Sequence, residues 1–212
     1  MTDDDLAGEL CALARSLFDR GLTPGTSGNV SCRRPGGGFL VTPTNACLGR
    51  LEPGTLSRLT ADWRPEAGQP PTKEVPLHRA FYGTRGDRAG AVVHLHSPWA
   101  VALSCLPPED PGDVLPAHTP YPVMRLGRVP LLPYRAPGDA GMEGDIAALE
   151  GRAKAVLLAN HGPVVADATL AAAGAAIEEF EAAARLAIVL RGLPARRLSA
   201  EERAALARRF PA

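Results

Sequence analysis

The sequence carries no excess of either charge: 23 lysines and arginines stand against 23 aspartates and glutamates. Without a basic surplus it lacks the usual attraction for nucleic acid or an anionic membrane surface. No apolar run reaches the roughly 20 residues needed to span a bilayer. The N-terminus, MTDDDLAGEL, is acidic, the reverse of a secretory leader. Cysteine is scarce as well: Cys11, Cys32, Cys47 and Cys105 are scattered, with no CxxC pair. That pattern argues against a disulfide frame or zinc knuckle and suits reduced thiols in the cytoplasm. Internal repeats and a second domain are missing too, so a single domain is expected over residues 1–212.

What is present is globular composition, 45% hydrophobic and 22% charged, with 21 prolines and 22 glycines spread as turn signals. Leu6, Leu10, Leu13, Leu17 and Phe18 recur at helical spacing. Thr2 and Asp5 form a capping pair before them, and Gly21 is the stop. Pro24 to Gly28 is a run of small and hydroxyl residues before a strand at Val30–Cys32. It reads either as a tight turn or as a loop whose N–H groups, with Asn29, hold an oxyanion. A hairpin turn at Arg34–Gly38 leads to a return strand, Phe39–Thr42, and a second polar turn, Thr42–Ala46.

The segment Pro71–Arg85 predicts a helix from about Glu74, with Pro76 in its first turn and Thr72 at its anion-favouring end. His78 reads as a structural or surface histidine. Ala91–Ala100, AVVHLHSPWA, predicts a strand followed by a short helix capped by Ser97. Alternate residues of a strand share a face, so His94 and His96 would project together, roughly 6.6 Å apart at their bases. Further strands are expected at Val129–Tyr134 and on either side of Asn160-His161-Gly162. Helices are expected at Gly138–Glu150 and Thr169–Arg191, and a last helix follows the capping box Ser199–Glu202. Three histidines with one open position describe a catalytic zinc site better than a structural one.

RGLTPGTSGNVSCR, LVTPTN, PTKEVPLHRAFY, AVVHLHSPWAVALS and LLANHGPVV, in this order, resemble the class II aldolase/adducin family over nearly the whole chain. The resemblance implies an α/β fold: a three-layer domain with a central, largely antiparallel sheet flanked by helices. It implies a homotetramer with active sites between subunits. It makes His94, His96 and His161 ligands of Zn2+, with Mn2+ or Co2+ as alternatives. Glu74 becomes the catalytic acid/base that also approaches the ion. Asn29, Thr44, Asn45, Thr72 and Lys73 fall where the family binds substrate phosphate. The family's threonine-glycine in the second turn is Thr44-Asn45 here. The threonine-lysine-glutamate at 72–74 and TPYPVMRLGRVPLLPY look closest to the subgroup that decarboxylates 3-oxo-tetronate 4-phosphates.

That similarity implies loss of carbon dioxide to leave a zinc-stabilised enediolate of dihydroxyacetone phosphate. Lys73 would place its charge on either the phosphate or the departing carboxylate. Tyr121 either reaches a neighbouring subunit's site or packs. The alternatives are an L-fuculose-phosphate type aldolase or pentose-phosphate 4-epimerase and, in another class, a non-catalytic adducin-like interaction module.

Overall fold

The computed structural model describes residues 2–210; Met1, Pro211 and Ala212, which the expected domain includes, lie outside them. The strands are β1 Asn29–Arg33, β2 Phe39–Val41, β3 Ser57–Leu59, β4 Pro65–Ala67, β5 Ala91–His94, β6 Leu131–Leu132, β7 Ala155–Leu158 and β8 Gly162–Asp167. They form one sheet in the order β4-β3-β2-β1-β5-β8-β7-β6. Every neighbouring pair is antiparallel except β6 with β7. The helices are α1 Asp3–Asp19, α2 Val75–Arg85, α3 Pro98–Ser104, α4 Pro120–Arg125, α5 Gly141–Ala147, α6 Leu170–Val189 and α7 Ala200–Arg209. None among the described residues is long and apolar enough to cross a membrane.

Alternation along the central strands builds two cores, one on each face. Val30, Ala91, Val93, Leu157 and Val165 face α1 and α6, where they meet Leu10, Leu17, Ile177 and Phe180. Val92, Val156, Val164 and Ala166 face α2 and α5, where they meet Leu77, Phe81, Met142 and Ile146. The result is the expected three-layer arrangement. Each large apolar side chain fully buried in it contributes roughly 1.5–3 kcal/mol.

The capping boxes of α1 and α7 form as expected, Thr2 with Asp5 and Ser199 with Glu202. Several elements differ from expectation. β5 ends at His94, so His96 lies beyond the strand. β6 is only Leu131–Leu132, and α5 is shorter than Gly138–Glu150. The strand β4, fully exposed, and the helix α4, only 6 residues long and started by Pro120, have no clear periodic signature.

One face of the central sheet is polar at one end. Asn29 and Ser31 of β1 share the α2 side, and Asn29 sits in register opposite His94 of β5. Glu74, Nʹ-terminal neighbour of α2, and His78 and Tyr82 within it follow at intervals of four. Four residues of helix rise about 6 Å, and two residues of strand rise about 6.6–6.8 Å. A helix laid along a strand can therefore match side chains step for step, and here it does so with polar groups.

Candidate metal centre

Three imidazoles converge where β5, the chain after it and the β7–β8 turn meet. The Nε2 atoms of His94 and His161 are 3.3 Å apart, those of His96 and His94 3.2 Å, and those of His161 and His96 3.0 Å. Each histidine has a distinct local reason for its position. His94 is fully buried at the end of β5, and its Nδ1–H donates to the Pro163 carbonyl at 2.9 Å. A carbonyl only accepts, so the proton sits on Nδ1 and Nε2 presents a bare lone pair. His161 sits in the turn after Asn160, whose φ of 54° reverses the chain. Gly162 follows because a Cβ there would lie 2.3 Å from the Leu95 carbonyl oxygen.

His96 is placed by the helix behind it. The buried Glu181 carboxylate of α6 accepts from the N–H groups of Trp99 at 2.8 Å and Ala100 at 2.9 Å. That fork closes the start of α3, where free N–H groups and the helix dipole favour an anion. Ser97 occupies the cap position but makes no capping bond, so the expected cap is corrected to Glu181.

Glu74 faces the three rings. Its Oε2 is 3.4 Å from His94 Nε2 and its Oε1 3.6 Å from His161 Nε2. Four donors at the corners of a tetrahedron with bonds of about 2.0–2.1 Å stand about 3.3–3.4 Å apart. The three nitrogens fall close to that spacing, and two of them stand 3.4 and 3.6 Å from the Glu74 oxygens, so the histidine set fits a divalent cation. Burial presses on Glu74 to raise its pKa, but His94, the Asn29 amide, His161 and His78 together hold it below the ordinary carboxylate value. The three imidazoles are lowered, mainly by burial, His161 to about 4. Neutral rings and an ionised carboxylate are the protonation states that a cation requires.

The other expected residues are distributed less uniformly. Asn29 is buried, and its Nδ2 donates to Glu74 Oε2 at 2.7 Å while its Oδ1 meets His78 Nε2 at 2.5 Å. Only its second amide hydrogen remains for a substrate. The turn carrying Thr44 and Asn45 lies against the segment before Glu74, through Thr44 N–H to Pro70 O and Thr72 N–H to Thr42 O. Asn45 has a φ of 57° and is exposed, which explains how asparagine replaces the family's glycine: it tolerates the left-handed region. Thr72 precedes α2 by more than the expected residue, and its hydroxyl oxygen accepts from the Glu74 N–H. Lys73 is exposed. Tyr121, on α4, lines a groove with Trp99, Arg125 and Arg185, not the histidine cleft of its own chain.

That cleft is lined by Pro24, Pro98, Val101, Tyr134 and Pro137 together with His96 and His161. Tyr134 is 61% exposed there, although its sequence context marks it only as the end of a strand. His78 is buried and structural, not a ligand. Burial pushes it to about 3, against the opposing pull of Glu74.

The metal-free protein should consequently weaken in acid. Between pH 6.5 and about 3 the unfolded chain protonates His78 while the folded chain does not. Its stabilising contribution is whole above pH 6.5 and is lost as the pH falls through that window. The slope reaches about 1.4 kcal/mol per pH unit for this group, and the three lowered ring-site histidines steepen it. Urea unfolding of metal-free protein at pH 7 and pH 5 measures the slope; equal stabilities would contradict buried neutral imidazoles.

Residues 8–188 match the model of the Class II Aldolase and Adducin N-terminal domain. The chain is 46% identical over 204 residues to the 3-oxo-tetronate 4-phosphate decarboxylase of Escherichia coli K12, covering 96% of each. The crystal structure of YgbL from Klebsiella pneumoniae superposes with a TM-score of 0.93 at 44% identity, covering 97% of this chain and 99% of that one. A structure of L-fuculose 1-phosphate aldolase superposes with a TM-score of 0.85 at 28% identity, covering 97% and 96%.

Proposed function

The chain belongs to the class II aldolase and adducin family, and from that premise we propose that it is a carboxy-lyase converting a 3-oxo-tetronate 4-phosphate to dihydroxyacetone phosphate and carbon dioxide. The observation that carries this reading is the 46% identity, over 96% of the chain, with a protein of that name, against 31% over 93% of the chain with an L-fuculose phosphate aldolase of Escherichia coli. The convergent His94, His96 and His161 with Glu74 opposite support a catalytic centre over a non-catalytic interaction module.

A divalent cation in that centre, zinc in our reading, supplies Lewis-acid stabilisation of negative charge developing on substrate oxygens. The chain supplies the rest. The bond between the carboxylate carbon and C2 breaks, carbon dioxide leaves, and its electron pair passes into the C2–C3 enediolate. Glu74 delivers a proton to C2. One proton is consumed per turnover, and Glu74 collects it from water before the next. Thr44, Asn45, Thr72 and the free hydrogen of the Asn29 amide hold the phosphate from the paired turns. Lys73, exposed beside them, adds positive charge for phosphate or carboxylate.

The exposed Tyr121, away from its own cleft, fits a contribution to a neighbouring subunit's site in a homotetramer. The four free cysteines and a phosphorylated substrate fit the cytoplasm.

The test is direct. Metal-loaded protein given the 3-oxo acid phosphate should release carbon dioxide and dihydroxyacetone phosphate in equal amounts, with no added aldehyde. Turnover only of an aldol substrate, without carbon dioxide, would replace the reading with an aldolase.

A further inference from the structure

Behind Glu74 a buried chain of side chains runs through Asn29 to three residues, His78, Ser31 and Tyr82, that the reaction as described does not use. Glu74 Oε2 accepts from Asn29 Nδ2 at 2.7 Å, and Asn29 Oδ1 meets His78 Nε2 at 2.5 Å. His78 Nδ1 meets Ser31 Oγ at 2.7 Å, and Ser31 Oγ meets the Tyr82 hydroxyl at 3.0 Å. Asn29, Ser31, His78 and Tyr82 are all buried, Ser31 and His78 completely. The chain is the polar seam between β1 and α2.

Its direction follows from one end. An ionised carboxylate only accepts, so Asn29 turns its NH2 to Glu74 and its carbonyl oxygen to His78. That oxygen also only accepts, so His78 carries its proton on Nε2 and leaves Nδ1 bare. Ser31 must then donate to Nδ1, and Tyr82 donates to Ser31. Every donor points toward Glu74. The carboxylate selects the NH2 end of the Asn29 amide; the ring of His78 holds the other end, and without it the amide oxygen loses its buried partner and the amide is free to swing away from Glu74.

We propose that His78, backed by Ser31 and Tyr82, is a positioning residue that acts through Asn29 to reserve Oε2 of Glu74 as an acceptor and leave Oε1 as the oxygen that carries the transferable proton. The inference rests on the reading of Glu74 as the proton donor.

Two measurements separate this inference from the reading beneath it. The first needs no substrate. Long-range proton–nitrogen correlation spectra of the metal-free protein should show His78 as the Nε2–H tautomer at pH 7. A Nδ1–H tautomer would overturn the proposed direction whatever the enzyme's reaction. The second compares His78→Leu with His78→Gln. Glutamine can still donate to Asn29 and accept from Ser31, whereas leucine can do neither.

With metal content and KM close to the wild type, His78→Leu should lose about 10–100-fold in kcat, the usual scale for supports of a metal site. His78→Gln should restore the rate. A wild-type kcat in His78→Leu, or no recovery in a folded, metal-loaded His78→Gln, would overturn the positioning role. If His78→Leu does not fold, Tyr82→Phe removes one hydroxyl from the chain's end, and an unchanged His78 nitrogen spectrum in that variant would likewise overturn the chain. Absence of carbon dioxide from wild-type protein would instead reject the decarboxylase reading and leave the tautomer result standing.

Discussion

His96→Ala should lose the metal, and turnover with it, while the fold survives. Of the three histidines, His96 is the one that is only partly buried, and it lies beyond the end of β5. Truncating it leaves the β1–β5 and β5–β8 pairing untouched. It also leaves Glu181 clamped on Trp99 and Ala100. His94→Ala, by contrast, would open a cavity in a fully buried position and confuse metal loss with unfolding. Loss of a group that merely supports a ligand costs about 10–100-fold in metal affinity, so loss of a ligand should exceed about 100-fold. Metal per chain after loading and dialysis, together with titration calorimetry, measures this directly. Thermal unfolding gives a second readout. A ligand at 100 times its Kd stabilises a protein by about 2.7 kcal/mol. For a chain of this length each kcal/mol raises Tm by about 2–4 °C. Wild-type protein should show that shift on adding zinc, and His96→Ala should not. A variant that kept one metal per chain would remove His96 from the ligand set.

The parts of this centre that the sequence made legible are those set by local pattern. HLH at the end of an apolar run, and NHG between two such runs, announced three histidines that the sheet then brought within 3.0–3.3 Å. The capping boxes and the start of α2 are local signals of the same kind. What escaped depends on contacts between distant residues. Ser97 sits where a cap belongs, yet the cap is Glu181, on another helix 82 residues beyond Trp99. The turn before Asn29 makes it a candidate phosphate ligand, but gives no sign that its oxygen and one of its amide hydrogens are held by His78 and Glu74, 49 and 45 residues away. No period in either segment encodes that pairing. It arises only because α2 lies along β1 with matching rise. Short elements such as β4 and α4 escaped for a different reason: an exposed strand of 3 residues and a proline-started helix of 6 carry too few apolar positions to define a period.

Glu74→Gln should keep the fold and the metal and still lose about 10²–10⁴-fold in kcat, the range expected when a positioned acid is removed. The three imidazoles remain, so a ligand set of three survives. The carboxylate's charge raises the pKa of His94 and of His161. Without it both rings stay neutral to lower pH, which favours metal binding and partly offsets the lost negative charge. The geometry also dictates how the glutamine sits. Asn29 presents an N–H, so the new amide must turn its oxygen to Asn29 and place its nitrogen where Oε1 was. The substitution thus puts a group that cannot release a proton at the one position facing His161. Hydrogen bonding, size and burial are all retained, and only proton transfer is removed. Carbon dioxide release in a single turnover, measured beside metal content, isolates that step. A metal-loaded Glu74→Gln enzyme within tenfold of the wild-type rate would mean that the proton reaches C2 from another group, and Glu74 would then be a metal ligand alone.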